Sequence, residues 1–457
     1  MAGERLTRKE LFIYALPMAA SSLQSVPFTG YLAGFYSTEM GLPLALVGLA
    51  ISVTRISDIF TDIILGMLSD RLRTRWGRRK PMIAAGLPLA ALATWMLFVP
   101  QTGASVLHLF GWIIVFNLAI SMLEVPYGAW GAELSTDYHE RTRATGWRTT
   151  AVTVGALLCL SIPFILQQNG HDGTGTALLL FAGLYVFLQP LFYLPLLILG
   201  RERPPRNSAG RGPSFRESIA ILWGSSAFRI LSLGLLLFVG GKAVGQALNL
   251  IVISEVVNAR HLFPTMLVLE NVCGLAAVPA WMWLARRFGK QIAMLWAALW
   301  SGLWSMPLFF LGQGDGWLFV GIIAMRAISL TAWVILIPSM TADAVDVDTL
   351  AAGRERTGVF FGAIGFSAKA AGAMGILIGT SLPALAGFQP SDPVHSPDSL
   401  LSLRIVYAIV GPLLVVASAF CFGRFPIDQR RQGELRAAID ARNAEQASLI
   451  KLDPTPG

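Results

Sequence analysis

The sequence predicts an all-α membrane protein of twelve transmembrane helices, arranged as two pseudo-symmetric six-helix bundles with both termini in the cytoplasm. Three observations carry this. Apolar stretches of about 20 residues recur from end to end. The basic residues fall in alternate loops. A basic segment rich in proline and glycine divides the chain in the middle.

The 457 residues are 54% hydrophobic and 14% charged, where a soluble chain carries roughly 25% charge. Stretches such as Met82–Val99 and Leu178–Leu199 are long enough to cross a hydrocarbon core of about 30 Å at 1.5 Å per residue. In lipid such stretches must be helices or a closed barrel, because unpaired backbone groups are not tolerated there. Barrel strands would alternate in polarity over about ten residues; these do not. The expected spans are residues 11–37, 43–70, 81–99, 106–132, 143–168, 174–200, 227–257, 262–285, 290–313, 316–342, 355–388 and 399–424. The N-terminal MAGERLTRKE leads straight into the first span, and a cleavable secretory signal is not expected there.

A formal charge of +8 invites a nucleic-acid partner, but the positions argue against one. The bases cluster at Arg5, Arg8 and Lys9, from Arg71 to Lys80, at Arg141 and Arg143, from Arg201 to Arg216, at Arg286, Arg287 and Lys290, at Arg354 and Arg356, and after Arg424. These are alternate loops and the two termini. Of the intervening loops, only that holding Arg260 departs clearly from the pattern. Positive residues mark the cytoplasmic side, so both termini are expected there, which requires an even number of spans. The expected location is the cell inner membrane, as a multi-pass monomer in contact with lipid.

The expected organisation is an N-terminal bundle over 1–200, a cytoplasmic linker over 201–226, a C-terminal bundle over 227–424 and a cytoplasmic tail over 425–457. The halves echo one another. Arg75-Trp76-Gly77-Arg78 follows span two and Arg287-Phe288-Gly289-Lys290 follows span eight. The offset that superposes Gly77 on Gly289, 212 residues (289 minus 77), also superposes Asp58 on Glu270. This fits parallel repeats about an axis along the membrane normal.

Ionisable residues inside spans are costly and point to function. They are Arg55, Asp58, Asp62, Glu124, Lys242, Glu270, Arg326, Lys369 and Arg404. In RISDIFTDIILG, Asp58 and Asp62 are four apart and share one helical face, with Arg55 close to it. Two adjacent carboxylates in a low dielectric bind a cation or hold a proton. Thr61 adds a hydroxyl at the edge of this face. Oxygen-only ligands suit a hard cation such as sodium and suit a proton equally; an ion-pair network of Arg55, the two aspartates and Lys369 is the structural alternative. In span four, Pro126 and Gly128 predict a broken helix beside Glu124. In span eleven, Lys369 is too deep to reach water easily, and Ala371, Gly375 and Gly379 form a small-residue face for close packing. Arg55 and Glu270 are expected to belong to a charge network.

Cys159, Cys273 and Cys421 have neither redox nor metal-ligand spacing. No P-loop, nucleophile elbow, HExxH or CxxC is present, so the chain is not expected to be an enzyme and needs no cofactor. Transport must therefore draw on an ion gradient or on the solute's own gradient.

Several motifs occur together and in order. Gly66-Met-Leu-Ser-Asp70-Arg71 with Gly77-Arg78-Arg79-Lys80-Pro81 resembles the loop signature of the major facilitator superfamily. RISDIFTD, RTRWGRRKP, EVPYGAWGAELSTDYHERTR, ADAVD and RTGVFFGAIGFSAKAAG resemble, over almost the whole chain, the glycoside–pentoside–hexuronide:cation symporters, the melibiose permease-like group. The resemblance implies a cation site at Asp58 and Asp62 with Thr61 and Ser121, and solute-binding roles for Glu124, Arg148 and Lys369. It implies sodium- or proton-coupled symport of a sugar or glycoside by alternating access. Gly66, Asp70, Arg71, Gly77, Arg78 and Arg79 would form a gating loop that holds the cytoplasmic side in the outward-facing state.

The galactoside end of the family's site is missing. Ser22 stands where a sugar-binding acid is expected, Gly128 where a tryptophan is, and Ile364-Gly365 where a polar pair is. Tyr127, Gln24, Trp130, Trp147 and Trp333 offer stacking and polar surface by another route. A glycoside with an apolar aglycone, a terpenoid or a lysolipid would suit such a site. A proton-coupled exporter of the same fold, or a transporter-fold protein that only binds a lipid or pigment, are the competing readings.

Overall fold

The computed structural model describes residues 6–72, 74–101, 103–134, 138–169, 173–200, 202, 215–352, 357–392, 395–428 and 430–435. It contains twelve helices long and apolar enough to cross a membrane. They are Arg8–Gly30, Leu44–Ser69, Lys80–Phe98, Val106–Gly131, Gly146–Leu166 and Thr174–Leu199 in the first half. Ser226–Val256, Arg260–Phe288, Lys290–Phe310, Gly316–Leu350, Val359–Leu385 and Pro397–Gly423 form the second. Large apolar side chains such as Phe187, Ile198 and Phe310 point outward from these spans, as a lipid-facing surface requires. Side-chain caps mark several starts. Thr7 and Glu10 form a capping box at span one, and Ser105, Ser225 and Ser396 each accept a backbone N–H one turn on. These bonds satisfy donors that the helix itself leaves free.

The packing repeats under a shift of six spans. Span one packs on five as seven packs on eleven, two on four as eight on ten, and three on six as nine on twelve. The contacts between halves, two with eleven and five with eight, exchange under the same shift. This is the signature of two pseudo-symmetric bundles, as the Gly77/Gly289 echo predicts. Both glycines adopt positive φ, +117° and +94°, in the turn that leads into span three or span nine. That region favours glycine.

Two features differ from expectation. Span four runs as continuous helix through Pro126, because one missing donor bends a helix without ending it. The breaks lie elsewhere, at Tyr31 toward the end of the expected first span and in the second half. Span eight changes course at Ala277, just before Pro279, and span ten at Ile328–Ser329. Within the expected linker, Phe215–Gly224 is helical. Residues 201 and 203–214 of that linker and most of the tail lie outside the described residues, as do Arg354 and Arg356.

Glu202 was not singled out in the sequence, where it is one acid in a basic run. Its carboxylate accepts the backbone N–H groups of Arg78 at 2.5 Å, Arg79 at 3.0 Å and Lys80 at 2.9 Å. It therefore caps the N-terminus of span three, where a negative charge is favoured, and straps the end of span six to the loop between spans two and three. Glu202→Ala strips three donors of their acceptor. It is expected to lower the apparent melting temperature of the detergent-solubilised protein by about 2–6 °C, from a loss of roughly 1–2 kcal/mol. An unchanged melting curve would remove this strap from the account.

The halves are closed together at the end opposite the termini. There Arg260 hydrogen-bonds both Glu39 and Thr174 of the first half, and Tyr31 meets Phe263 edge-on with centroids 5.1 Å apart. Gly34 lies against Leu250 and Gly48 against Thr380, each too close for a Cβ. Arg260, the exception to the charge pattern, is thus engaged in a contact between halves. Toward the other end Glu124, Trp147, Arg148 and Lys369 are exposed, so a central cavity opens on the side of the termini.

Candidate functional site

Spans two and eleven bring the charged residues together. The helical register puts Asp58 and Asp62 one turn apart on span two, and the span-eleven Lys369 ammonium is bonded to the Asp62 carboxylate. This ion pair joins the two halves. Lys369 remains 42% exposed and Asp62 26%, so the pair lines the cavity. Asp58 lies one turn deeper; its Oδ1 is buried without a hydrogen-bond partner among the described residues. The charges acting on it are Lys369, Arg55, Asp62 and Glu124. The Thr61 hydroxyl donates to the Asp58 carbonyl at 3.0 Å, leaving its lone pairs free. Ser121 is buried on span four, three residues before Glu124. The Arg55 guanidinium stands over the Phe28 ring, 5.2 Å from its centroid.

Glu124 is exposed to the cavity, and its charged neighbours are Arg148, Lys369, Asp62 and Arg55. Arg148, from the start of span five, covers the Tyr127 ring at 5.6 Å. Tyr127 stacks on Tyr14 with centroids 4.7 Å apart and planes 6° apart, and its hydroxyl donates to the Tyr14 carbonyl at 2.7 Å. An acid and a base therefore share one side of the cavity, and the Tyr127–Tyr14 stack is buried behind Arg148. Ser22 is placed elsewhere. It is 2% exposed, and its hydroxyl donates to the Val152 carbonyl at 3.0 Å in the seam between spans one and five. Gln24 is also buried.

In the loop after span two, Thr74 and Gly77 exchange backbone hydrogen bonds. Arg79 is buried, and its guanidinium donates to the Ser69 hydroxyl at 2.9 Å. Gly66 faces Val125 of span four. The side chains of Asp70, Arg71 and Arg141 lie outside the described residues. In the second half Lys290, which corresponds to Arg78 by the 212-residue offset (290 minus 78), pairs with both oxygens of Asp343 at 2.8 and 2.7 Å. Gln432 of the tail donates to the same carboxylate at 2.6 Å. Asp343 stands in the ADAVD motif, but its partners could not be read from spacing.

Chemically, the span-two acids offer carboxylate and hydroxyl oxygens beside a lysine that already occupies one of them. Among the described residues no group of three or more histidine, cysteine, aspartate and glutamate side chains could hold a metal ion. The arrangement suits a weakly held monovalent cation or a proton, in competition with Lys369 for Asp62.

The sequence model of a family described as MFS/sugar transport protein matches residues 13–429. The inner membrane symporter YicJ of Escherichia coli is 24% identical, over 93% of this chain and 93% of its own length. The sodium-dependent lysophosphatidylcholine symporter 1 of Mus musculus is 24% identical, over 92% of this chain and 86% of its own. Among solved structures, the nucleoside transporter NupG superposes with a TM-score of 0.66 at 14% identity, covering 91% of this chain and 99% of that one. That likeness concerns the fold.

Proposed function

The chain belongs to the MFS/sugar transport protein family, and from that premise we propose that it is a secondary active symporter of the cell inner membrane. It couples the inward movement of sodium or a proton to that of a sugar, a glycoside or a related amphipathic solute, by alternating access of its two halves. The relatives named as symporters, one of them sodium-dependent, support the coupling. The observation that carries the reading is the Asp62–Lys369 pair between halves, with the unpartnered Asp58 oxygen beside it.

The mechanism follows from charge. A cation or proton arriving at Asp58 and Asp62 weakens the hold of Asp62 on Lys369. Lys369 is then free to turn to Glu124 or to a solute group in the cavity. Since span eleven carries Lys369 and span two the acids, loading the ion changes the contact between the halves. The coupling ion and solute thus favour the same rearrangement, as linkage demands. Arg148 and Glu124 form the solute's wall on the first half, backed by the buried Tyr127–Tyr14 stack. The division into bundles 1–200 and 227–424 supplies the rocking bodies.

The test is uptake into vesicles under an imposed sodium gradient or pH gradient, with a panel of glycosides and lysolipids. Stimulation by one gradient is the expected result and identifies the ion. Uptake of no panel member responding to either gradient would sink the symport reading.

A further inference from the structure

We propose that the C-terminal half carries a docking site for an acidic group of the solute, a carboxylate, sulfonate or phosphate, centred on Lys242. The proposal rests on the transport reading above and adds to it the charge of the cargo.

Lys242 lies at the middle of span seven, partly exposed, and Gln246 one turn on is exposed. The Lys242 ammonium stands over the rings of Phe238 at 5.7 Å and Trp333 at 5.6 Å. Among the described residues it has no hydrogen bond and no ion pair. Its charged neighbours are one acid, Glu270, and one base, Arg326. The acid is already engaged, since Arg326 pairs with Glu270 at 3.7 Å, the two being 13% and 8% exposed. One buried carboxylate therefore serves two bases.

The surrounding backbone is irregular in a way that keeps this spot polar. Span ten breaks just after Arg326, and indoles of neighbouring spans donate to carbonyls at the break. Trp300 donates to the Met325 carbonyl at 2.7 Å and Trp281 to that of Ile328 at 2.6 Å. Span twelve makes a π turn over Val406–Val410, a feature frequent at functional sites. That turn carries Tyr407, whose hydroxyl bonds Asn249 at 2.7 Å. Lys242, Gln246, Glu270, Arg326 and Tyr407 line one small cavity of about 20 Å³. That is room for a group the size of a water molecule, hence for the oxygens of an acid and not for a whole solute.

Charge balance gives the sign of the ligand. On the other wall Arg55, Arg148 and Lys369 are matched by Asp58, Asp62 and Glu124. Lys242 and Arg326 against Glu270 leave one positive charge over, and a bound coupling cation would make it two. Uncompensated charge is costly away from water. An anionic solute cancels it, and gains a charge-assisted hydrogen bond against apolar rings. A neutral solute does neither.

The experiment uses the purified full-length protein and matched pairs on two scaffolds. These are 4-nitrophenyl glucuronide against 4-nitrophenyl glucoside, and a lysophosphatidic acid against the monoacylglycerol of the same chain length. On at least one scaffold the acid is expected to bind 10-fold or more tightly than its neutral partner. Lys242→Met should bring that ratio to about one, and Lys242→Arg should retain it. Lys242→Met should also raise the melting temperature of the ligand-free protein, since it removes an unpaired cation; a purely structural lysine would lower it. Equal or tighter binding of the neutral partners, no binding by either acid, or an undiminished preference in Lys242→Met overturns the proposal. The wild-type preference alone tests it even if a variant fails to fold. Binding of the acid without ion-driven uptake would overturn symport and leave this site standing. Ion-driven uptake of neutral partners alone would do the reverse.

Discussion

Asp58→Asn is expected to reduce ion-driven uptake to the level seen without a gradient, while the protein still inserts and folds. The substitution keeps the shape of the side chain and removes its charge and its affinity for a proton. Asp58 lies beside the Asp62–Lys369 pair, and its Oδ1 has no hydrogen-bond partner among the described residues, so no structural bond is lost. What is lost is the second carboxylate of the ion site. One charge falling through 100 mV supplies about 2.3 kcal/mol, roughly a 50-fold accumulation. Without coupling that ratio falls to about one. Asp62→Asn is expected to do the same and in addition to leave Lys369 without its acid. The readout is solute uptake into vesicles with and without the gradient, normalised to the amount of inserted protein. Full gradient-driven accumulation by Asp58→Asn would remove the acid pair from the mechanism and favour a protein that only binds.

Gly375→Val is expected to prevent assembly of the C-terminal bundle. A Cβ at Gly375 would fall on the Gly240 carbonyl oxygen and 2.6 Å from the Ala243 Cβ. The obstacle is backbone and a neighbouring Cβ, so no side chain can turn away. Spans seven and eleven must separate, and their contact is the spine of this half. Overpacking of this kind costs about 1–3 kcal/mol and more when backbone must move. Span eleven also carries Lys369, so the contact with span two goes with it. The measurement is yield and monodispersity after detergent extraction. Gly365→Val is the control. It lies on the same helix, and nothing stands within 4 Å of where its Cβ would be, so it should extract normally. A well-behaved Gly375→Val protein would show that the seam is looser than its geometry.

Local chemistry was legible in the residues. The RISDIFTD spacing is enough to pair Asp58 and Asp62, because the helix repeat is a property of adjacent turns. The small-residue face at Ala371, Gly375 and Gly379 was likewise readable, and it packs on span seven. The partner of each charge was not. Asp62 and Lys369 are 307 positions apart, and no local rule pairs them. Ser22 stands where the family's sugar-binding acid is expected, yet its hydroxyl is spent on the Val152 carbonyl. The orientation of a side chain about its helix is set by what the helix packs against.

The sequence by itself determined the twelve spans, the two halves and the acid pair, because the cost of burying backbone and charge in lipid leaves few alternatives. Only the tertiary structure decided where the helices break, which bases lack acids and which end is closed. Pro126 does not break span four, whereas span ten breaks at Ile328 with no proline until Pro338, and there indoles of neighbouring spans donate to the Met325 and Ile328 carbonyls. Arg260 is an exception in sequence and a bond between halves in space. Such outcomes depend on long-range pairing, and long-range pairing is what folding adds to the chain.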